Sequence, residues 1–137
     1  MQGAGKIRVN FQNWEKPVFD KNGLTKWHWV CQYNENLILG EYTDVGAFTY
    51  INASFGVIIE DHAQIGSHCS IYSQSTIDDK KGKVIIKKGA RIGTHSTIMP
   101  GVTVGENAVV GAYSFIKDDI PDNSLAYGIP AKVVKKI

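Results

Sequence analysis

The sequence predicts an all-β chain wound as a stack of triangular coils, a parallel β-helix. Three observations predict it: an aliphatic residue recurs at every sixth position, glycine often follows it directly, and a small or β-branched residue stands four places after it. The aliphatic positions run Leu39, Val45, Ile51, then Ile59, Ile65, Ile71, Ile77, then Ile86, Ile92, Ile98, Val104, Val110 and Ile116. Two extra residues fall before Ile59 and three before Ile86. Ile, Val and Leu supply 32 of 137 residues, so chance alone would fill thirteen such places with a probability of about 10⁻⁸.

A period of six fits neither a helix nor one long strand, but it fits short strands joined by tight corners. Three strands make a coil of eighteen residues whose aliphatic side chains fill the interior. The small residues (Thr43, Thr49, Ala63, Cys69, Ser75, Ala90, Ser96, Val102, Ala108, Ser114) let each corner close. Coils then stack by strand pairing about 4.8 Å apart. The expected coils are 39–58, 59–76, 77–97 and 98–115, with Ile116 opening a fifth, and the charged run Asp78 to Lys83 leaves the prism as a loop.

The flanks read differently. Residues 1–38 hold all three tryptophans and the weak alternation Ile7, Val9, Phe11, and are expected to cap the β-helix domain of residues 39–117. In residues 118–137, Pro121 and Pro130 block a long helix, which leaves a packed tail. One domain accounts for the length. A formal charge of +2 without a long basic block argues against nucleic acid as a partner. No apolar run is long enough for a membrane span, and the polar start lacks the middle of a signal peptide, so a cytoplasmic protein is expected. Cys31 and Cys69 have no metal-type spacing, and no structural metal site is expected.

The glycine-bearing hexads, the run from Ile98 to Ala112 with its IMPGVTVG segment, and the ending Tyr127-Gly-Ile-Pro-Ala-Lys-Val together resemble the hexapeptide-repeat acyltransferases, closest to galactoside and sugar-nucleotide acetyltransferases. The resemblance covers residues 39–137 and implies a left-handed parallel β-helix, a homotrimer with sites between neighbouring prisms, and acetyl-CoA as co-substrate. It implies that backbone groups of Thr94 and Ala112, eighteen residues apart, hold coenzyme A, and that Lys132 and Lys135 meet its phosphates. Lys117 stands one place from the family's usual lysine in the segment Ser114 to Asp119. Asn52 falls where galactoside-type members contact the acceptor, and Thr76 occupies the address of their catalytic histidine.

With that base absent, another imidazole is the natural candidate, because a neutral imidazole has a proton affinity matched to acetyl transfer, whereas for an amine acceptor a weak base or a water chain suffices. His62, His68 and His95 each follow an aliphatic position by three residues, on what the count makes three different edges of the prism. His68 is the first candidate base, His62 the second, and His95 lines the coenzyme groove. A turn histidine is otherwise a solvated or interface residue, Asn52 otherwise caps a turn, and the lysines otherwise form a solvated tail. The expected function is transfer of an acetyl group from acetyl-CoA to a sugar amine or hydroxyl, with a nucleotide-linked amino sugar for surface polysaccharide as acceptor. The missing histidine favours an amine. The competing readings are a zinc lyase of the carbonic-anhydrase type, which needs histidines converging on one ion, and a non-catalytic β-helix binding module.

Overall fold

The computed structural model describes residues 13–137, so the alternation Ile7, Val9, Phe11 lies outside the described residues. The polypeptide turns a corner every few residues and lays its strands into three parallel sheets, the walls of a triangular left-handed β-helix. The first wall stacks β1 (Val30–Gln32), β4 (Tyr50–Asn52), β7 (Ser70–Tyr72), β12 (Thr97–Ile98) and β15 (Phe115–Ile116). The second stacks β2 (Leu37–Leu39), β5 (Val57–Ile59), β10 (Val84–Ile86) and β13 (Thr103–Val104). The third stacks β3 (Asp44–Val45), β6 (Gln64–Ile65), β11 (Arg91–Ile92), β14 (Val109–Val110) and β16 (Ser124–Gly128), and β17 (Ala131–Lys136) closes it antiparallel to β16.

The aliphatic rhythm is the reason for this shape. Ile59, Ile65, Ile71, Ile86, Ile92, Ile98, Val104, Val110 and Ile116 point inward and are essentially buried. Each such side chain contributes about 1.5–3 kcal/mol by leaving water. Of the ten small corner residues, all but Ser75 are buried. Their hydroxyls turn back onto the chain: Thr49 Oγ1 donates to the Gly66 carbonyl at 2.9 Å and Ser114 Oγ to the Gly111 carbonyl at 2.7 Å, so no buried hydroxyl at these places is left unpaired.

One rung of the expected ladder is absent. Ile77 is 99% exposed, and Ile59 pairs with Ile86 rather than with Ile77. The excursion is therefore nine residues beyond a regular coil, not three. Its backbone groups pair with each other, β8 (Gln74–Ser75) against β9 (Lys80–Lys81) in an antiparallel hairpin, and are spent before they could form a rung. The charges of Asp78, Asp79, Lys80 and Lys81 hold this hairpin in water.

Parallel pairing also runs beyond residues 39–117 at both ends. Cys31 is in register with Ile51, and Ala126 with Val110, because an uncovered rung would present unpaired N–H and C=O groups. Trp29, 2% exposed, packs edge-on against Phe19 at 5.4 Å and plugs the first coil. Among the described residues no helix is long and apolar enough to cross a membrane.

Candidate active site

Each prism edge is a column of corners. The edge between the third and first walls carries glycine at four successive rungs, Gly46, Gly66, Gly93 and Gly111, with Tyr127 above them. A Cβ on Gly93 would stand 2.5 Å from the Ala112 backbone nitrogen, so close stacking demands glycine there. After these glycines come Ala47, Ser67, Thr94 and Ala112, one above the other.

The backbone N–H groups of Thr94 and Ala112 have no acceptor among the described residues. At the edge between the second and third walls three of the four equivalent groups, all but that of Asp61, are covered: Glu41 N–H donates to Asp61 Oδ1 at 2.8 Å, Lys88 N–H to Glu60 Oε1 at 2.9 Å, and Glu106 N–H to Asp122 Oδ1 at 2.8 Å. One edge thus offers stacked free donors at Thr94 and Ala112, and at the same two coils the other edge has them capped by carboxylates, at Lys88 and Glu106. Free backbone N–H groups aimed at a common groove suit an amide carbonyl or a carbonyl oxygen gaining negative charge.

The next residue of each corner takes a left-handed backbone, φ 58° at His68 and φ 60° at His95. Tyr42, His62 and Asn107 at another edge do the same, so the strain belongs to the turn and is not a mark of chemistry. It stacks the outward side chains into a column of rings: His28 on Phe48 (6.2 Å), Phe48 on His68 (5.1 Å), His68 on His95 (4.7 Å) and His95 on Tyr113 (4.8 Å). His68 and His95 therefore share an edge, against the expectation of three separate ones. Counting Ile77 as a rung rotates every later corner by a third of a turn, and that is the source of the error.

His62 stands at the edge between the second and third walls, stacked on Tyr42 at 5.6 Å. Asn52 and Lys117 lie at the remaining edge. Asn52 Oδ1 accepts from Ser54 N–H (3.0 Å) and Ser54 Oγ (2.7 Å), the turn-capping alternative, and Lys117 Nζ lies 3.0 Å from Asp118 Oδ2. Within one chain these three are not brought to Thr94. Lys132 is closer: it pairs with Tyr127, whose side chain lies over Gly111. Lys135 is opposite Leu125, farther along the strand. The sequence reading missed Tyr113 and Ser67, although Tyr113 follows His95 by the same eighteen residues that separate Thr94 and Ala112.

Parallel rings set the lone pairs of His68 and His95 side by side instead of converging on one ion. Among the described residues no three His, Cys, Asp or Glu side chains are gathered for a metal. All three tryptophans line one cavity of about 260 Å³ beside β3, which none of Thr94, His95 and Ala112 reaches.

Residues 83–118 match the bacterial transferase hexapeptide (six repeats) family. The chain is 54% identical over 52 residues to a dTDP-3-amino-3,6-dideoxy-alpha-D-galactopyranose 3-N-acetyltransferase of Aneurinibacillus thermoaerophilus, which is 38% of this chain and 27% of that one. It is 31% identical over 113 residues to the galactoside O-acetyltransferase of Lactococcus lactis subsp. lactis, 72% of this chain and 55% of that one. A hexapeptide-repeat acetyltransferase of Vibrio cholerae O1 biovar eltor, solved with acetyl coenzyme A, superposes with a TM-score of 0.75 at 25% identity, over 79% of this chain and 64% of that one. The chain spans about half or less of the length of these curated relatives. Its six-residue rungs and three-walled coils agree with the matched segment: the chain carries the bacterial transferase hexapeptide repeat and resembles the hexapeptide-repeat acetyltransferases.

Proposed function

We propose that this protein transfers an acetyl group from acetyl-CoA to a sugar amine or hydroxyl, with a nucleotide-linked amino sugar as the acceptor. The observation that carries the reading is the pair of free, stacked N–H groups at Thr94 and Ala112 beside two imidazoles. Likeness to a dTDP-amino-sugar N-acetyltransferase and to an acetyltransferase solved with acetyl coenzyme A supports it.

Acetyl-CoA supplies an activated thioester. One backbone N–H of the corner column holds an amide of the coenzyme arm, and another faces the thioester oxygen as charge develops on it. An imidazole of the His68 and His95 pair takes the acceptor's proton. Lys132 and Lys135 offer positive charge to the coenzyme phosphates at the upper end of the same edge, and Lys117 would do so only from a neighbouring chain. The assembly is a cytoplasmic homotrimer in which a sister prism brings its own His62 or Asn52 edge to this one.

Coenzyme A is the direct test. At a hundredfold excess over its dissociation constant it stabilises the native state by about 2.7 kcal/mol, which raises the melting temperature by several degrees. Thiol release from acetyl-CoA across nucleotide amino sugars then identifies the acceptor. No thermal shift with coenzyme A would reject the reading in favour of a binding module, and one chain per particle in light scattering would reject the trimer.

A further inference from the structure

Thr94 and His95 are coupled through a hydroxyl. Thr94 Oγ1 lies 2.8 Å from the Ser67 carbonyl oxygen, 2.8 Å from His95 Nδ1 and 3.2 Å from Ser67 Oγ. A hydroxyl has one hydrogen to donate and two lone pairs to accept with. The Ser67 carbonyl can only accept, so the Thr94 hydrogen goes to it. His95 Nδ1 must then be the donor to Thr94 Oγ1, and Ser67 Oγ fills the second lone pair. In the opposite tautomer Thr94 would donate to Nδ1 instead, and its oxygen would then face the Ser67 carbonyl oxygen, which also accepts from the His95 N–H at 3.1 Å, lone pair against lone pair at 2.8 Å.

The neutral ring at His95 therefore carries its proton on Nδ1 and a free lone pair on Nε2, which has no partner among the described residues. The imidazolium donates from both nitrogens, so Nε2 takes up a proton without breaking the Thr94 bond. Two parallel rings, His68 at 2° and Tyr113 at 7°, hold the plane of His95. Rings also flank His68, from Phe48 and His95, and His62, from Tyr42, but among the described residues no side-chain hydrogen bond fixes the tautomer of either, and His62 stands at a different edge.

We propose that His95 Nε2 is the general base of acetyl transfer, and that Thr94 is a positioning residue whose hydroxyl locks its tautomer. This rests on the acetyltransferase reading above and replaces His68 as the first candidate. The acceptor nitrogen or oxygen forms its bond to the acetyl carbonyl carbon and the carbon–sulfur bond breaks. The acceptor's proton passes to Nε2 and from there to the departing thiolate, which leaves an acetylated acceptor and free coenzyme A thiol.

The test has two independent readouts. Long-range proton–nitrogen NMR of the ¹⁵N-histidine-labelled protein is expected to give His95 as the Nδ1–H tautomer, and Thr94→Val, which keeps the backbone N–H and the branched shape, to mix the tautomers. Kinetics are expected to show His95→Gln losing at least about a hundredfold in kcat with coenzyme A binding retained. Thr94→Val should lose about tenfold in kcat at unchanged acetyl-CoA KM, with the acidic limb of its pH profile displaced, and Thr94→Ser should recover most of that loss. An Nε2–H tautomer at His95, or turnover by His95→Gln within about threefold of the native protein while coenzyme A still binds, overturns the proposal and leaves the transferase reading intact. Loss of coenzyme A binding by the native protein would instead overturn that reading, and the base role with it.

Discussion

The imidazoles of His68 and His95 lie flat on one another, 4.7 Å between centroids and 2° from parallel, although twenty-seven residues separate them in sequence. Stacking of this kind is worth about 0.5–1.5 kcal/mol beyond buried area. His68→Ala removes one wall from His95, and turnover is expected to fall by about 2- to 10-fold. His68→Phe, which restores a flat ring and no titratable nitrogen, is expected to recover much of the loss. Steady-state thiol release checks both, and a complete loss in His68→Phe would return the base role to His68.

Gly93→Ala is expected to be severe. The new Cβ would meet the Ala112 nitrogen at 2.5 Å and its Cα at 2.7 Å, both backbone atoms of the next coil. The cost is about 3 kcal/mol or more, since two coils must part. Gly101, with φ +83° and open space around it, is expected to lose only the roughly 1–2 kcal/mol of a left-handed backbone when changed to Ala. Denaturant unfolding distinguishes the two, and equal losses would refute the stacking argument.

Two isoleucines six places apart are expected to behave as opposites. Ile71 is 0% exposed and Ile77 is 99% exposed. Ile71→Ala should cost about 2–5 kcal/mol. Ile77→Ser should change stability by less than about 0.5 kcal/mol, as measured by thermal unfolding.

The two thiols are expected to be silent in the native protein. Burial, with Glu35 nearby, pushes the Cys31 thiol from 9.0 up to about 12, and burial also raises Cys69, whose Sγ donates to the Gly93 carbonyl. A thiol raised on folding stabilises the native state below its unfolded value, and that contribution is lost as pH climbs from about 9 towards 12. Base-induced unfolding is expected within that window. Modification by a thiol reagent at neutral pH should wait on unfolding, and fast labelling of the folded protein would contradict the burial of these residues.

The aliphatic residue at every sixth place was enough to specify short strands with a corner every six residues, and the strand register, eighteen residues from Arg91 to Val109, closes them into a coil of three walls. The eighteen-residue interval likewise puts Thr94 beneath Ala112 from the sequence alone. The reading stopped at Ile77. Its place in the rhythm is as good as that of Ile71, and only pairing within the hairpin of Gln74 to Lys81 takes it out of the ladder. Periodicity records which residues would be content inside, whereas register depends on which backbone groups bond to which. That choice turned the upper coils by one edge and set His95 on His68. The resemblance pointed to the backbone of Thr94 and Ala112, but that their N–H groups are free was decided only by the fold, because a vacant donor is defined by the acceptors around it in space, and those come from other coils.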